Sequence, residues 1–374
     1  MGRPVRIASF NVENLFERAK ALNQKTWAQG RPVLEKHARL NDLLNLPVYS
    51  SADKAEIRKL LLEFGLRKRD DAGKWVVLRQ NRGKLVKRPK AGGLEIVANG
   101  REDWIGWVEL KSEQVNELAM EHTAMVMRDV NADVLGVVEA ENRIVLDKFS
   151  AQLLNKVDGT PYEFVMVIDG NDDRGIDVGL VARAGHEIVG IRSHVDDTDL
   201  EGRVFSRDCP EYTITTPTGA RLVVLVNHLK SKGFGPASAS NKLRERQAIR
   251  VKEIYERVRA EGAENVAVLG DLNDTPNSVP LAPLLKQTDL KDISQHPAFA
   301  NDGRPGTYGN GNKSQKIDYV LLSPALFDNV IGGGTFRTGV WGGKNGTLWP
   351  HYQTMIRSVQ AASDHAALYA DINV

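Results

Sequence analysis

The stretch Val266–Asn277, VAVLGDLNDTPN, decides how the rest of the chain is read. Val266, Ala267, Val268 and Leu269 form a short apolar run of the kind that becomes a buried strand. Gly270 ends the run. Asp271 and Asn273 follow two apart, so on an extended chain both side chains leave on the same side. Asp274-Thr275-Pro276-Asn277 is turn chemistry. A core strand is therefore predicted, with a carboxylate and a carboxamide at its mouth. Read alone, the stretch is equally a strand end closed by an Asx-type turn. What favours a site is that other strand ends in the chain carry the same kind of group.

Working outward, Arg6–Val12 reads as a strand ending at Asn11, with Glu13 and Asn14 just beyond. Asp133–Glu139 is an apolar strand with an acid at its carboxyl end, and an unpaired buried carboxylate there wants an arginine, a lysine or a cation. Arg221–Asn227 is strongly apolar and runs into His228. Lys316–Leu322 is a strand carrying Asp318, and Ala362–Ala370 brings Asp364 and His365 into the last strand. Two amphipathic helices are predicted. One runs from Ser112 to about Val130 with Val115, Leu118, Ala119, Met125 and Val126 inward; the other spans Asn241–Arg259 with Ile249, Ile254 and Val258 inward. Gly332–Tyr352 reads as a Gly/Trp-rich loop, in the manner of an ordered lid. Strands outnumber helices and many adjoin in sequence. The pattern predicts an α+β fold of two packed, mostly antiparallel sheets with helices outside.

Residues 17–110 read differently. Ala52–Phe64 has helical spacing, with Ser50 or Ser51 as cap. Between Arg67 and Lys90 ten Lys and Arg face only Asp70 and Asp71. Trp75–Leu78 and Lys84–Val86 flank Asn81-Arg82-Gly83, which predicts a basic hairpin. Leu94–Val97 and Trp104–Leu110 add two further strands. The region is read as a small β-rich insertion within a single domain of residues 1–374. Its charge suits either a solvated face or a surface that contacts phosphates.

The chain has 374 residues, 41% of them apolar, and a net charge of +2, too near neutral to imply nucleic acid or membrane by itself. Its one cysteine, Cys209, excludes an intrachain disulfide and argues against a cysteine zinc site. No apolar run approaches the roughly 20 residues of a membrane span. The opening Val5–Phe10 reads as a strand with no apolar leader before it. That predicts a cytoplasmic protein if the chain is complete, and a secreted or periplasmic one if a leader has been removed. A monomer is expected.

Collected, the strand-end groups are Asn11, Glu139, His228, Asp271, Asn273, Asp318, Asp364 and His365. Carboxylate and amide oxygens suit a hard cation, Mg²⁺ or Mn²⁺, with Ca²⁺ as a further candidate. No HExxH spacing, P-loop, GxGxxG after a strand or GxSxG is present. The simplest chemistry for such a set is a metal on a phosphoryl oxygen, with a His–Asp pair activating water.

At this point the chain resembles the endonuclease/exonuclease/phosphatase superfamily, DNase I-like in fold. The matching motifs are Ser9–Asn14, Asp133–Glu139, Val226-Asn227-His228, Gly270–Asn273, Ile317-Asp318-Tyr319 and Ser363-Asp364-His365, in the family's order. Asn11–Phe16, Arg174–Gly179 and Gly270–Pro276 look like a bacterial nuclease-like branch. The resemblance implies a four-layer α/β/β/α sandwich. It implies Glu139 as principal metal ligand, with Asn11 and Asp364 near the metal or its waters. His365 is implied as general base or water-orienting group, with Asp318 as its partner; the two meet if the strands at Lys316–Leu322 and Ala366–Ala370 lie side by side. Asp271 and Asn273 would handle the nucleophile and the scissile phosphate, and His228 a phosphate oxygen or the leaving group. Arg207 resembles the phosphate-contacting arginine. Arg174 and Asp177 are further substrate-side candidates, Asp177 being the nearest acid to support His228. Glu13 stands where relatives often have Asp, and the 17–110 region is far longer than in minimal members. A divalent-metal phosphodiesterase is therefore expected, most simply a sequence-tolerant nuclease on DNA or RNA. The rivals are a phosphatase or phosphodiesterase for small or lipid-head-group esters, and a binding module with an idle site.

Overall fold

The computed structural model describes residues 3–15, 27–90, 92–111, 117–172, 175–233 and 236–374. The chain divides into two compact units, one of residues 1–16 and 115–374, the other of residues 17–114. No helix among the described residues is long and apolar enough to cross a membrane.

The larger unit is a four-layer α/β/β/α sandwich. One sheet has seven strands in the order Phe299–Ala300, Val330–Phe336, Ala367–Ile372, Val5–Leu15, Val134–Ala140, Asp177–Ala182 and Phe164–Ile168. The other has six, in the order Lys291–Asp292, Asp318–Leu322, Val266–Asp271, Arg221–His228, Glu211–Thr215 and Glu187–Arg192. Each sheet is mostly antiparallel but holds a parallel pair at its centre: Val5–Leu15 with Val134–Ala140, and Arg221–His228 with Val266–Asp271. A parallel pair needs a long crossover, and each crossover contains a helix, Glu117–Val130 in the first and Ala237–Ala260 in the second.

The central strands are buried on both faces, which is why they read as unbroken apolar runs. Val134 and Val138 pack against Ala267, Leu269 and Val320 between the sheets, while Leu135 and Val137 pack under the Glu117–Val130 helix. Val266 and Val268 turn the other way, onto Val251, Ile254 and Val258 of the Ala237–Ala260 helix. Gly136 allows the sheets to close, because a Cβ there would run into the Leu269 side chain.

Three local expectations are corrected. Ile249 is exposed; the buried stripe of its helix is Gln247, Ala248, Val251, Ile254, Tyr255 and Val258, and Ile249 lies off that face. The Gly-rich start of the presumed Gly332–Tyr352 loop is instead part of the Val330–Phe336 strand, paired with Ala367–Ile372. Its glycines fit because the Tyr369 ring and Ile293 cover them; a Cβ on Gly334 would lie 3.0 Å from the Tyr369 hydroxyl. The strands carrying Asp318 and following His365 belong to different sheets, so they face each other across the sandwich rather than pairing.

The 17–114 unit has helices Trp27–Leu44 and Ser51–Glu63 and its own core, including Leu40, Leu61, Leu78, Trp104 and Val108. Ser50 caps the second helix in a reciprocal box with Asp53. The predicted hairpin does not form. Val76–Gly83 runs through Asn81 and Arg82 and pairs with Trp104–Leu110, while Val86–Lys87 pairs with Glu95–Ile96. A type I′ hairpin turn requires positive φ at both central residues, and Asn81 and Arg82 lack it, so the strand runs on through them.

Candidate active site

Parallel neighbours end at the same edge of a sheet, so the two central pairs deliver their carboxyl ends to one edge of the sandwich. In the six-stranded sheet His228 lies opposite Asp271, and Asp271 opposite Asp318, in one row across three strands. Each shares the parity of residues packed between the sheets: Val224 and Val226, Ala267 and Leu269, Val320 and Leu322. Asn11 shares that of Val5 and Ile7. Glu139 follows the parity of Leu135 and Val137, which would send it outward. Its φ of +68° breaks the alternation, and its carboxylate lies within 3.4 Å of Asn11 Nδ2 and 3.7 Å of His228 Nε2. Five described non-glycine residues have positive φ, and three of them, Glu13, Glu139 and Asn273, are at this edge. Each such residue costs on the order of 1–3 kcal/mol, and such strain concentrates at functional sites.

The turn after Asp271 is not extended. Asn273 N donates to Asp271 Oδ1 at 2.8 Å, and Asn273 Nδ2 donates to Leu229 O at 3.1 Å. Gly270, at φ +126°, lies flat against the neighbouring strand where a Cβ would strike Asn227 O. His365 Nδ1 lies 2.9 and 3.1 Å from the two Asp318 oxygens. Thr307 Oγ1 donates to Asp318 Oδ2 at 2.6 Å and accepts from Asp318 N at 3.0 Å. His365 Nε2 looks towards Asp364 at 3.6 Å and Asp271 at 3.9 Å. His228 Nε2 is 3.8 Å from the same Asp271 carboxylate.

Burial raises the Asp271 pKa, and the neighbouring Asp318 raises it further. Burial also raises Glu139, against the pull of His365, and it raises Glu13, with Asp364 adding to the effect. For His365 burial opposes the charge, yet Asp318, Asp271 and Asp364 together hold its pKa well above the usual value. Crowded carboxylates with few cations are the donor set a hard divalent ion fits. Glu139, Asp364 and Glu13 are the carboxylates grouped to hold one, with Glu13 Oε2 also accepting from Asp364 N at 2.9 Å. Asp271, Asp318 and His365 also bring ligand atoms within 4.8 Å of one another. Within that trio His365 Nδ1 is already taken up by Asp318 at 2.9 Å, while Asp271 Oδ2 stands 3.9 Å from His365 Nε2. Asn11 is also better described as a positioning residue. Its oxygen accepts from Glu13 N at 3.1 Å, and its nitrogen faces Glu139 and Asp271.

Glu13, Glu139, His228, Asp271, Asn273, Asp364 and His365 line a cavity of about 400 Å³ together with Arg207, Lys232, Tyr308 and Ser314, while Asn11 and Asp318 stand behind that lining. Arg207 is buried and pairs with Asp172 at 2.8 Å. Asp177 is not in the lining; it accepts from Gly170 N at 2.8 Å, and burial pushes its pKa up to about 6. Arg174 lies outside the described residues. Thr307 and Tyr308 escape the sequence reading, being in a Gly/Asn loop without period. Yet Tyr308 forms a β-bridge to His365 and tilts over its ring at 4.9 Å.

Residues 84–331 match the model of a family described as the endonuclease/exonuclease/phosphatase family. No curated protein matches the chain. Among solved structures, a family protein from Bacteroides thetaiotaomicron is 16% identical with a TM-score of 0.49, over 68% of this chain and 85% of that one. A truncated Caenorhabditis elegans TDP2 is 15% identical with a TM-score of 0.48, over 68% and 90%. The human Nocturnin catalytic domain is 14% identical with a TM-score of 0.49, over 70% and 88%.

Proposed function

We propose, from the premise that the chain belongs to the endonuclease/exonuclease/phosphatase family, that it is a divalent-metal-dependent phosphodiesterase acting on nucleic acid. Hydrolysis of phosphoesters is the family's general chemistry. The observation that carries the finer reading is the meeting, at one edge, of a buried acidic cluster with two histidines, His365 hydrogen-bonded to Asp318 and His228 lying 3.7 Å from Glu139 and 3.8 Å from Asp271. Charge distribution supports a polyanionic substrate: residues 17–114 hold 21 Lys and Arg against 13 Asp and Glu.

Glu139, with Asp364 and Glu13, would hold the cation, which when bound supplies charge against phosphate oxygens and acidifies water. Asp318 fixes the tautomer of His365 and favours its cationic form, so Nε2 donates to a phosphate oxygen. Asp271, its other oxygen held by Asn273 N, is the carboxylate placed to take a proton from attacking water. That assignment moves the base from His365, as the resemblance implies, to Asp271. His228 donates to the phosphate or the leaving oxygen, and Arg207 lends positive charge beneath it. The test is a panel of plasmid, single-stranded DNA, RNA, a chromogenic phosphodiester and a phosphomonoester, each with Mg²⁺, Mn²⁺, Ca²⁺ or EDTA. Diester and nucleic-acid hydrolysis abolished by EDTA is expected. Hydrolysis of the monoester alone would replace this reading with a phosphatase.

A further inference from the structure

The pairing of Val76–Gly83 with Trp104–Leu110 gives the 17–114 unit a two-stranded ribbon with unlike faces. Val76, Leu78, Trp104 and Val108 turn into the core. On the outer face Arg79 lies opposite Trp107 and Arg82 opposite Ile105. Trp107 is 47% exposed and Ile105 51%. A face that is merely solvated places polar residues outward at this period. This one alternates Ile105, Trp107 and Glu109 along one strand and sets arginines across from the apolar pair. Arg79 pairs with Glu109 at 2.6 Å. Among the described residues Arg82, Lys84 and Lys87, all exposed, join no ion pair.

We infer that this ribbon is a docking face for single-stranded nucleic acid, with Trp107 stacking on a base and Arg79 and Arg82 on the backbone. An exposed aromatic between cations is the arrangement that binds single strands without reading sequence, because every base has a π-face. Complementary charge selects the occupant. The unit carries a net +8 from the counts given above, and by difference from the chain's 50 Lys and Arg and 48 Asp and Glu the larger unit carries −6. An acidic catalytic unit repels a polyanion at long range, and the ribbon unit supplies the attraction. The inference builds on the substrate class proposed above, and its test is a binding measurement separate from turnover.

The experiment is fluorescence anisotropy of the full chain with labelled single-stranded DNA and RNA dodecamers and a duplex of equal length, in EDTA, between about 50 and 200 mM salt. Trp107→Ala should weaken single-strand binding by about tenfold with the salt slope unchanged. Arg79→Gln with Arg82→Gln should weaken binding and flatten the slope. Trp107→Phe should keep most of the affinity, and Lys242→Gln in the larger unit should change nothing. Ile105→Thr, expected to weaken binding less than Trp107→Ala, stands in if Trp107→Ala lowers the melting temperature. The DNA and RNA arms say which strand is preferred. Wild-type affinity in Trp107→Ala and Ile105→Thr, equal affinity for duplex, or binding to phosphatidylserine vesicles in place of oligonucleotides would overturn the inference. Oligonucleotide binding without hydrolysis of any diester would remove the proposed function and leave this face standing. Diester hydrolysis without oligonucleotide binding would do the reverse.

Discussion

The two units place charge in opposite ways. In the larger unit the ionisable groups that matter are few, mostly buried and fixed by strand register: His228, Asp271 and Asp318 sit in one row, and Asn11 and Glu139 reach in from the facing sheet. In the 17–114 unit they are many and exposed, from Arg67 and Lys68 to Lys84 and Lys87. Desolvated groups act one by one, because neighbours shift each other's pKa strongly at low local dielectric. Exposed groups act as a sum and are screened by salt. Substitution at the cavity should therefore change turnover on every substrate, and substitution on the basic unit only what long substrates feel.

The sharpest way to break that contrast lies in the dyad. His365→Ala, which removes a donor to the phosphate oxygen, should cost about 10²–10³-fold in turnover on a nucleic acid and on a small chromogenic diester alike. Asp318→Asn should also slow both, and the double variant should fall far short of the product of the two, since the pair acts as a unit. A loss confined to nucleic acid would mean that His365 serves binding, and the contrast between the units would blur. Steady-state kinetics on the two substrates at saturating metal, with pH–rate profiles, reads this directly. Loss of the acidic limb in Asp271→Asn is the expected signature of Asp271 as base; its survival would return that role to His365.

A smaller effect separates burial from charge crowding. His186 is buried in the larger unit, just past the end of the Asp177–Ala182 strand away from the cavity, with Asp133 and Arg3 as its charged neighbours. Burial lowers its pKa, against the pull of Asp133. The folded state thus keeps the ring neutral while the unfolded chain takes up a proton below about pH 6.5. Its contribution to stability is present above that pH and is lost as pH falls through it. Melting curves from pH 7.5 to 5 should show wild type losing more stability than His186→Gln. Parallel curves would mean that the ring is already solvated.

How far the sequence foretells this depends on how local the cause is. Asn11, His228, Asp271 and Asp318 are legible because each ends or opens an apolar run whose parity points it inward. Glu139 is legible as an acid at a strand end, but the positive φ that turns it into the cavity is not. Thr307 and Tyr308 are invisible because nothing periodic marks their loop, and only the fold brings Thr307 to Asp318 and Tyr308 to His365. The Asn81-Arg82-Gly83 signal misleads because strand pairing is settled by the core around Trp104 and Leu78, not by the turn residues. Gly332–Gly334 defeat the reading for a related reason: glycine has little strand propensity, and Tyr369 and Ile293 supply the packing that holds them in a sheet.

The most direct test of the account is the metal dependence of Glu139→Gln. The exchange keeps shape and hydrogen bonding to Asn11 and removes one buried negative charge. Hydrolysis of the chromogenic diester should be measured against Mg²⁺ and Mn²⁺ concentration, beside wild type, with thermal melting as a check on the fold. The account predicts an intact fold, a metal requirement shifted to much higher concentration and a rate at limiting Mg²⁺ lowered by about 10²-fold or more. Unchanged activity at limiting Mg²⁺ would contradict it.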